Sequence, residues 1–533
     1  MSNLAAACTP STFTSGINVF GTQLLNIETH LITNYSRSVP NLYRPVHPSV
    51  EVRNVSFCNV TLSYTHTGQH DEVFLETWLP IGNWNGMFQG IGGSGWAAGR
   101  VDVSSAGMAG AVGDGFATSS TDGGTKGLDA AAWVLKSPGN VDLVALQDWS
   151  AVSLGEQATI SKSLIKSFYG KNPKYSYWMG CSQGGRQGIM LAQRYPDAYD
   201  GIAACDPAMY LTHVLPNIFW PYQAMVNAGS FPHMCEFDSI TAAAIAACDE
   251  LDGVKDGVVS NPVKCLDTFD PFKVVGQTLN CSNSKDGSGI KVSREAAQVV
   301  KATWRGLTRK EGKVLWPGVS PAADLTGNKP SSLGLPGVLV TQCKDGKCSG
   351  APYGLGSDWL QYFVAKDPNK DISHLSQTEF DALVNLGEQE YGSFIDASYA
   401  DLSAFRAAGG KLIVMQGLDD ELVPFLSTEH YYNSVAKVVP HTHDFYRLFE
   451  VPGLSHCVGG QSQQPVRLFA QLREWVEKGT APAWSPVKLN VTGGHVHDRI
   501  ICPYPQTAQL SRQAAILLGN FRDYEPVPSF TLT

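Results

Sequence analysis

The pattern of apolar and polar positions changes character along the chain. Toward both ends, short apolar runs bounded by turn residues alternate with stretches of helical period, as in a mostly parallel sheet with crossover helices. Phe74-Leu-Glu-Thr-Trp-Leu and Met87-Phe-Gln-Gly-Ile read as early strands and Tyr175-Ser-Tyr-Trp-Met as a central one. Lys411-Leu-Ile-Val-Met and Phe445-Tyr-Arg-Leu-Phe-Glu-Val read as late strands. Between about Pro207 and Gly392 the pattern breaks into turn-rich, cysteine-containing sequence such as Asn280-Cys-Ser-Asn-Ser-Lys-Asp-Gly and Thr341-Gln-Cys-Lys-Asp-Gly-Lys-Cys. The expectation is an α/β fold in which a discontinuous catalytic domain, 1–206 and 393–533, carries an inserted lid over 207–392. No repeat of solenoid or propeller period is visible.

Gly180-Cys181-Ser182-Gln183-Gly184 matches G-x-S-x-G between the central strand and a helical stretch that runs toward Pro196. That setting is what a nucleophile needs: a sharp strand-to-helix turn exposes the serine hydroxyl, and the glycines let the backbone turn and pack closely. A serine nucleophile also needs a base and an acid that orients it, on loops after later strands in the order Ser, Asp, His. The first late strand runs into Gly417-Leu418-Asp419-Asp420-Glu421, and the second into Pro452-Gly453-Leu454-Ser455-His456-Cys457. His456 would take the Ser182 proton, with Asp419 or Asp420 fixing its tautomer. Cys181 directly precedes the serine and Cys457 directly follows the histidine. A bond between them would hold their Cα atoms about 5.5 Å apart and bring nucleophile and base together.

Composition narrows the partners. The 533 residues carry 39 Lys+Arg against 48 Asp+Glu, a net charge of −9, with 16% charged and 43% hydrophobic residues. That excludes a disordered chain, and the lack of basic runs removes the footprint of a nucleic-acid binder. No apolar run approaches eighteen residues, so no membrane span is expected. Twelve cysteines are compatible with six disulfides and an oxidising compartment. The sequons at Asn34, Asn54, Asn59, Asn280 and Asn490 also fit a secreted glycoprotein. Met1 to Thr12 shows no signal peptide, so either a leader was removed or the chain is intracellular. His441-x-His443 and His495-x-His497 lack a third ligand of zinc-like spacing and read as surface histidines.

Over most of its length the chain resembles the tannase and feruloyl esterase family of α/β-hydrolases. The likeness rests on Gly180-Cys-Ser-Gln-Gly-Gly-Arg-Gln, Ala192-Gln-Arg-Tyr-Pro-Asp-Ala-Tyr-Asp-Gly-Ile and Val451-Pro-Gly-Leu-Ser-His-Cys-Val-Gly-Gly, with Leu472-Arg-Glu-Trp-Val-Glu-Lys-Gly-Thr-Ala-Pro and Arg499-Ile-Ile-Cys-Pro-Tyr-Pro near the end. It implies an α/β-hydrolase fold, a Cys181–Cys457 disulfide, and catalysis by Ser182, His456 and an aspartate three residues after the loop glycine Gly417, which favours Asp420. Gly90-Ile-Gly-Gly-Ser-Gly-Trp resembles the family's glycine-rich loop, so the backbone N–H groups of Gly93, or its neighbour, and Gln183 are the expected oxyanion hole. The histidine that often follows a Thr-Asp pair in the family is missing after Thr121-Asp122.

Cys248-Asp249-Glu-Leu-Asp252-Gly-Val254-Lys-Asp256-Gly-Val258 gathers carboxylates and turn glycines at spacings suited to a hard cation, though not those of an EF-hand. The resemblance implies a structural Ca2+ held by the side chains of Asp249, Asp252 and Asp256 and the carbonyls of Val254 and Val258. Cys248 is expected to pair with Cys265, Cys8 with Cys58 by resemblance, and Cys343 with Cys348 by proximity. Cys205, Cys235, Cys281 and Cys502 have no evident partners. The expected function is a secreted serine esterase acting by an acyl-enzyme on feruloyl, cinnamoyl or galloyl esters, free or attached to plant polysaccharide or tannin. The alternatives are a hydrolase of another, biosynthetic-pathway ester, and a catalytically silent polyphenol- or carbohydrate-binding protein on the same scaffold.

Overall fold

A computed structural model describes residues 3–281, 288–329, 335–491, 495–510 and 524–528, apart from positions 15, 18 and 346. The turn-rich stretch expected after Asn280 therefore lies, from 282 to 287, outside the described residues. Nine strands form one sheet: β1 (Thr22–Val39), β2 (Val50–His66), β3 (Val73–Pro80), β4 (Phe88–Ile91), β5 (Ala117–Thr121), β6 (Ser176–Cys181), β7 (Gly201–Cys205), β8 (Lys411–Gly417) and β9 (Tyr446–Val451). Their order is β1-β2-β3-β5-β4-β6-β7-β8-β9. Pairing is antiparallel from β1 to β5 and parallel from β5 to β9. All five expected strands are present as β3, β4, β6, β8 and β9.

The parallel strands are buried on both sides, which explains their continuous apolar runs. Period-2 alternation sends Trp178, Leu412, Val414 and Leu448 to one face and Tyr177, Ile413, Met415 and Phe449 to the other. Helices α1 (Asp102–Gly113) and α9 (Leu468–Lys478) supply Ala111, Leu472 and Trp475 to the second face. Helices α2 (Ser153–Tyr169), α3 (Gln183–Arg194) and α8 (Phe425–Val438) cover the first.

The chain between β7 and β8 contains α4 (Leu211–Ala228), α5 (Met234–Cys248), α6 (Arg294–Arg305) and α7 (Gln377–Tyr391). Caps fix two of these ends: Ser293 accepts from Ala296 N–H, and Ser376 and Glu379 form a capping box. The inner faces of these helices do not make a separate core. Phe219, Ile240, Trp304 and Phe380 join the cluster that holds Trp178, so the insertion packs continuously onto the sheet. Among the described residues no helix is long and apolar enough to cross a membrane.

Among the described residues five disulfides form rather than six: Cys8–Cys58, Cys181–Cys457, Cys235–Cys281, Cys248–Cys265 and Cys343–Cys348. The four expected pairs are present. Of the four unassigned cysteines, Cys235 and Cys281 pair, while Cys205 and Cys502 remain buried thiols. Cys205 lies inside the parallel sheet, packed among Ala203 and Met415 as a small apolar side chain.

Candidate active site

β6 ends at Cys181 and α3 begins at Gln183, so Ser182 occupies the whole turn between them. It does so at φ 58°, ψ −117°, a conformation that costs a non-glycine residue on the order of 1–3 kcal/mol. The glycines are required by contact. A Cβ on Gly180 would overlap the backbone of Gly184, and one on Gly184 would stand 2.9 Å from the Gly93 carbonyl oxygen. Strand, helix and the glycine-rich loop after β4 thus meet at van der Waals distance beneath the serine.

The loops after β8 and β9 bring up the other two groups. His456 Nδ1 lies 2.8 Å from Asp420 Oδ2, and both residues are buried. Asp420 Oδ1 accepts from the N–H groups of Leu422 and Val423 at 2.8 and 2.7 Å, which locks the carboxylate. Asp419 turns away and accepts from Ser320 Oγ at 3.1 Å, so the geometry selects Asp420. Burial drives the imidazole toward its neutral form, but Asp420, with Asp206 and Glu421 behind it, outweighs that and raises His456 to about 9. The Nδ1 contact leaves Nε2 as the nitrogen for proton transfer.

The Cys181–Cys457 disulfide has a Cα separation of 6.0 Å and closes 276 residues. It fixes the residue beside the nucleophile to the residue beside the base. Two carboxylates that the sequence reading did not single out brace the same place. Glu421 accepts from His456 N–H at 3.2 Å, and Asp206 accepts from Cys457 N–H at 2.9 Å. The signal for Asp206 was present in Gly201-Ile-Ala-Ala-Cys-Asp-Pro, a short apolar run ending in an acid ahead of a proline, but five small residues did not stand out as a strand.

Ser182, Gln183 and His456 line a narrow pocket with Trp96, Trp149, Leu422, Val423 and the α4 residues Leu211, Val214, Leu215 and Ile218; its wall is almost wholly apolar. Arg186, fully buried, props this wall. Its guanidinium lies over the Trp149 ring and donates to Gln183 Oε1 and to the carbonyls of Ser150 and Ile395. A wider groove adjoins the pocket at Gly95, Trp96 and Leu355 and continues past Leu128, Pro352 and Tyr353.

The expected oxyanion loop needs a correction. Gly93 N–H donates to Gln187 Oε1 at 2.9 Å, and Ser94 N–H to Ala97 carbonyl at 3.1 Å. Those two donors are committed to holding the loop, and it is Gly95 and Trp96 that reach the pocket. As the first residue of α3, Gln183 has an N–H with no intrahelical acceptor. The family position after Asp122 is filled by a turn, in which Asp122 accepts from Phe74 and Gly124 N–H.

The acidic loop does not line the Ser182 pocket and is braced by the Cys248–Cys265 bond. Asp249 Oδ1 accepts from Asp256 and Gly257 N–H, and Asp252 Oδ1 from Val254 N–H. Arg499 stands 2.8 Å from Asp252 and 3.6 Å from Asp256. Arg499 thus sits against two of the three carboxylates, and among the described residues Asp249, Asp252 and Asp256 do not bring three carboxylate oxygens within 4.8 Å of one another. Val258 packs against Gly453, where a Cβ would lie 3.1 Å from its methyl, so this loop touches the segment leading to His456.

Known proteins resemble the chain over most of its length. The family model described as tannase and feruloyl esterase matches residues 58–520. A protein of Arthroderma benhamiae named probable feruloyl esterase is 34% identical over 473 residues, covering 86% of this chain and 84% of its own. The tannase of Aspergillus oryzae is 28% identical over 496 residues, covering 84% and 82%. The solved tannin acyl hydrolase from Aspergillus niger superimposes with a TM-score of 0.85 at 26% identity, over 99% of this chain and 96% of that one. Fold, serine turn and sequence match lead to one conclusion: the chain belongs to the tannase and feruloyl esterase family of α/β-hydrolases.

Proposed function

We propose that the protein is a secreted serine esterase that hydrolyses aromatic acid esters through an acyl-enzyme. The observation that carries this reading is the Asp420–His456 pair, tied by a disulfide to the residue before Ser182 at an apolar, tryptophan-lined pocket. Ser182 Oγ attacks the ester carbonyl while His456 Nε2 takes its proton. Collapse of the tetrahedral intermediate breaks the ester C–O bond, His456 returns the proton to the leaving alcohol, and water repeats the sequence on the acyl-enzyme. Asp420 holds the imidazole in the tautomer this requires.

The narrow pocket suits the acyl group and the wider groove the alcohol, including one attached to plant polysaccharide or tannin. Apart from Ser182, Gln183 and His456, pocket-lining side chains offer only the tryptophan N–H groups, and Trp96 Nε1 already donates to Asp358. Burying the three hydroxyls of a galloyl ring there would leave donors without acceptors, at about 1–3 kcal/mol each. A cinnamoyl or feruloyl ring fits better. We take residues 207–392 as the lid that supplies α4 to this wall. Five disulfides and the exposed positions of Asn34, Asn54 and Asn490 support a secreted glycoprotein.

Matched methyl ferulate and methyl gallate, assayed with the wild type and Ser182→Ala, test the assignment. The ferulate ester should be cleaved at least tenfold faster in kcat/KM, and the alanine variant should lose about a thousandfold or more. Cleavage of neither ester, or full activity without Ser182, would refute it.

We also propose that Asp249, Asp252, Asp256 and the carbonyls of Val254 and Val258 hold a structural Ca2+. Its support is the oxygen-rich turn and its three acidic side chains, and binding requires Arg499 to release Asp252 or Asp256. Chelation should release one calcium per chain and lower the thermal midpoint by a few degrees. Because Val258 packs on Gly453, activity should fall with it. A chain that carries no calcium after dialysis against the metal would refute the site.

A further inference from the structure

Asp206 is fully buried at the end of β7 and takes no part in the hydrolysis as written above. Its surroundings connect it to every part of that machinery. The preceding residue, Cys205, accepts at its carbonyl from Ser182 N–H at 2.9 Å. Asp206 N–H itself donates to the Met415 carbonyl at 2.7 Å. Its Oδ1 accepts from Gly417 N–H at 2.6 Å, where the acid loop begins. Its Oδ2 accepts from Cys457 N–H, next to the base. One residue thus bonds the acid loop and the base loop to the strand that also anchors the serine.

The backbone supplies a second, independent observation. Asp206 has φ 38°, and Ser182 and Cys457, at 58° and 62°, are likewise non-glycine residues in the left-handed region. Three such positions within one hydrogen-bonded cluster store strain that the surrounding contacts must hold. The chemistry of the site calls for a carboxylate: two buried N–H donors need two acceptor oxygens, whereas asparagine offers one and sets its own donor against the other.

We propose that Asp206 is a positioning residue for the reaction, fixing the loops of Asp420 and His456 relative to Ser182 and favouring the protonated form of His456 during turnover. The inference rests on the Ser182–His456–Asp420 reading. The charged and titratable groups facing this cluster are Asp420, Glu421, His456 and Tyr353, with the Cys205 thiol behind. Asp206 is the one of the three carboxylates that bonds neither the imidazole ring nor His456 N–H. Its removal therefore perturbs His456 through placement and charge alone.

The test compares wild type, Asp206→Asn, Asp206→Ser and Ser182→Ala on methyl ferulate across pH, with competent sites counted by a covalent phosphonate. For Asp206→Asn, kcat should fall 10- to 100-fold while KM changes less than threefold. Burial and Asp420 push Asp206 up to about 8, so it is ionised where His456 loses its proton, at about 9; the acid limb of kcat/KM should move toward lower pH by about one unit, because losing that neighbouring negative charge makes the imidazolium less stable. Asp206→Ser, which retains one small acceptor, should show the same shift and supplies the reading should the asparagine variant fail to fold. A kcat within threefold of wild type would overturn the inference, as would a lower kcat with an unmoved limb, the mark of a merely structural role. An active Ser182→Ala would instead overturn the esterase reading on which it rests.

Discussion

His66 and His456 each stand among three carboxylates, and both are raised to about 9. Around His66 the acids are Asp71, Asp148 and Glu156; around His456 they are Asp420, Asp206 and Glu421. The difference is in the ring nitrogens. His66 gives Nδ1 to Asp71 at 2.6 Å and Nε2 to Glu156 at 2.8 Å, so both are spent. At His456 Asp420 takes Nδ1, the other two carboxylates take backbone N–H groups, and Nε2 is left at a pocket that also holds Ser182. Similar composition and a similar rise in proton affinity give a structural cation in one place and a base in the other. What decides is which atom the neighbours leave alone.

Exchanging each histidine for glutamine gives the largest test of that contrast. His456→Gln should cut kcat by about a thousandfold or more, since the proton shuttle is lost. His66→Gln should keep kcat per competent site within a few-fold but cost about 2–3 kcal/mol in urea unfolding. It strands partly buried carboxylates without their counter-charge. Loss of turnover at unchanged stability in the His66 variant would break the comparison.

The His456 half of this contrast was legible in the sequence and the His66 half was not, for a physical reason. A nucleophile turn, an acid loop and a base loop each follow an apolar strand buried on both faces, so each motif comes with its own context. β2 instead pairs with the edge strand β1 and mixes polar with apolar positions, as in Asn59-Val-Thr-Leu-Ser-Tyr-Thr-His66, and no motif marks its end. β5, Ala117-Thr-Ser-Ser-Thr121, and β7, Gly201-Ile-Ala-Ala-Cys205, are short and built from small residues, chosen by the tight packing of the central sheet rather than by strand propensity. Asp206 was hidden with β7. The Cys235–Cys281 bond was equally unreadable, because spacing alone does not specify connectivity. For the oxyanion loop, the glycines marked the right segment but not the donor, since the hydrogen bond from Gly93 to Gln187 crosses between distant parts of the chain.

The smaller effect lies in pH. The His66 cluster bears on the pocket, because Asp148 directly precedes Trp149, whose ring packs beneath the Arg186 guanidinium. Burial raises the Asp148 carboxyl from 3.8 to about 7, and His66 only partly offsets it. Its Oδ2 has no hydrogen-bond partner among the described residues. The folded chain therefore holds a proton there that the unfolded chain releases near its ordinary pKa, and stability falls as pH rises through that window. His66 acts in the same direction at higher pH: its contribution is complete below 6.5 and is lost as pH climbs through about 9. Asp148→Asn removes the first of these and not the second. At pH 8 the variant should be more stable than wild type by about 1–2 kcal/mol, with the advantage gone by pH 4. The remaining decline between pH 7 and 9 should persist in Asp148→Asn and disappear in the double variant Asp148→Asn with His66→Gln, where neither group is left to titrate. Thermal midpoints measured at each pH separate the two terms. Equal pH slopes in wild type and Asp148→Asn would mean that this carboxyl titrates normally, leaving His66 a simple ion pair rather than the centre of a proton-holding cluster.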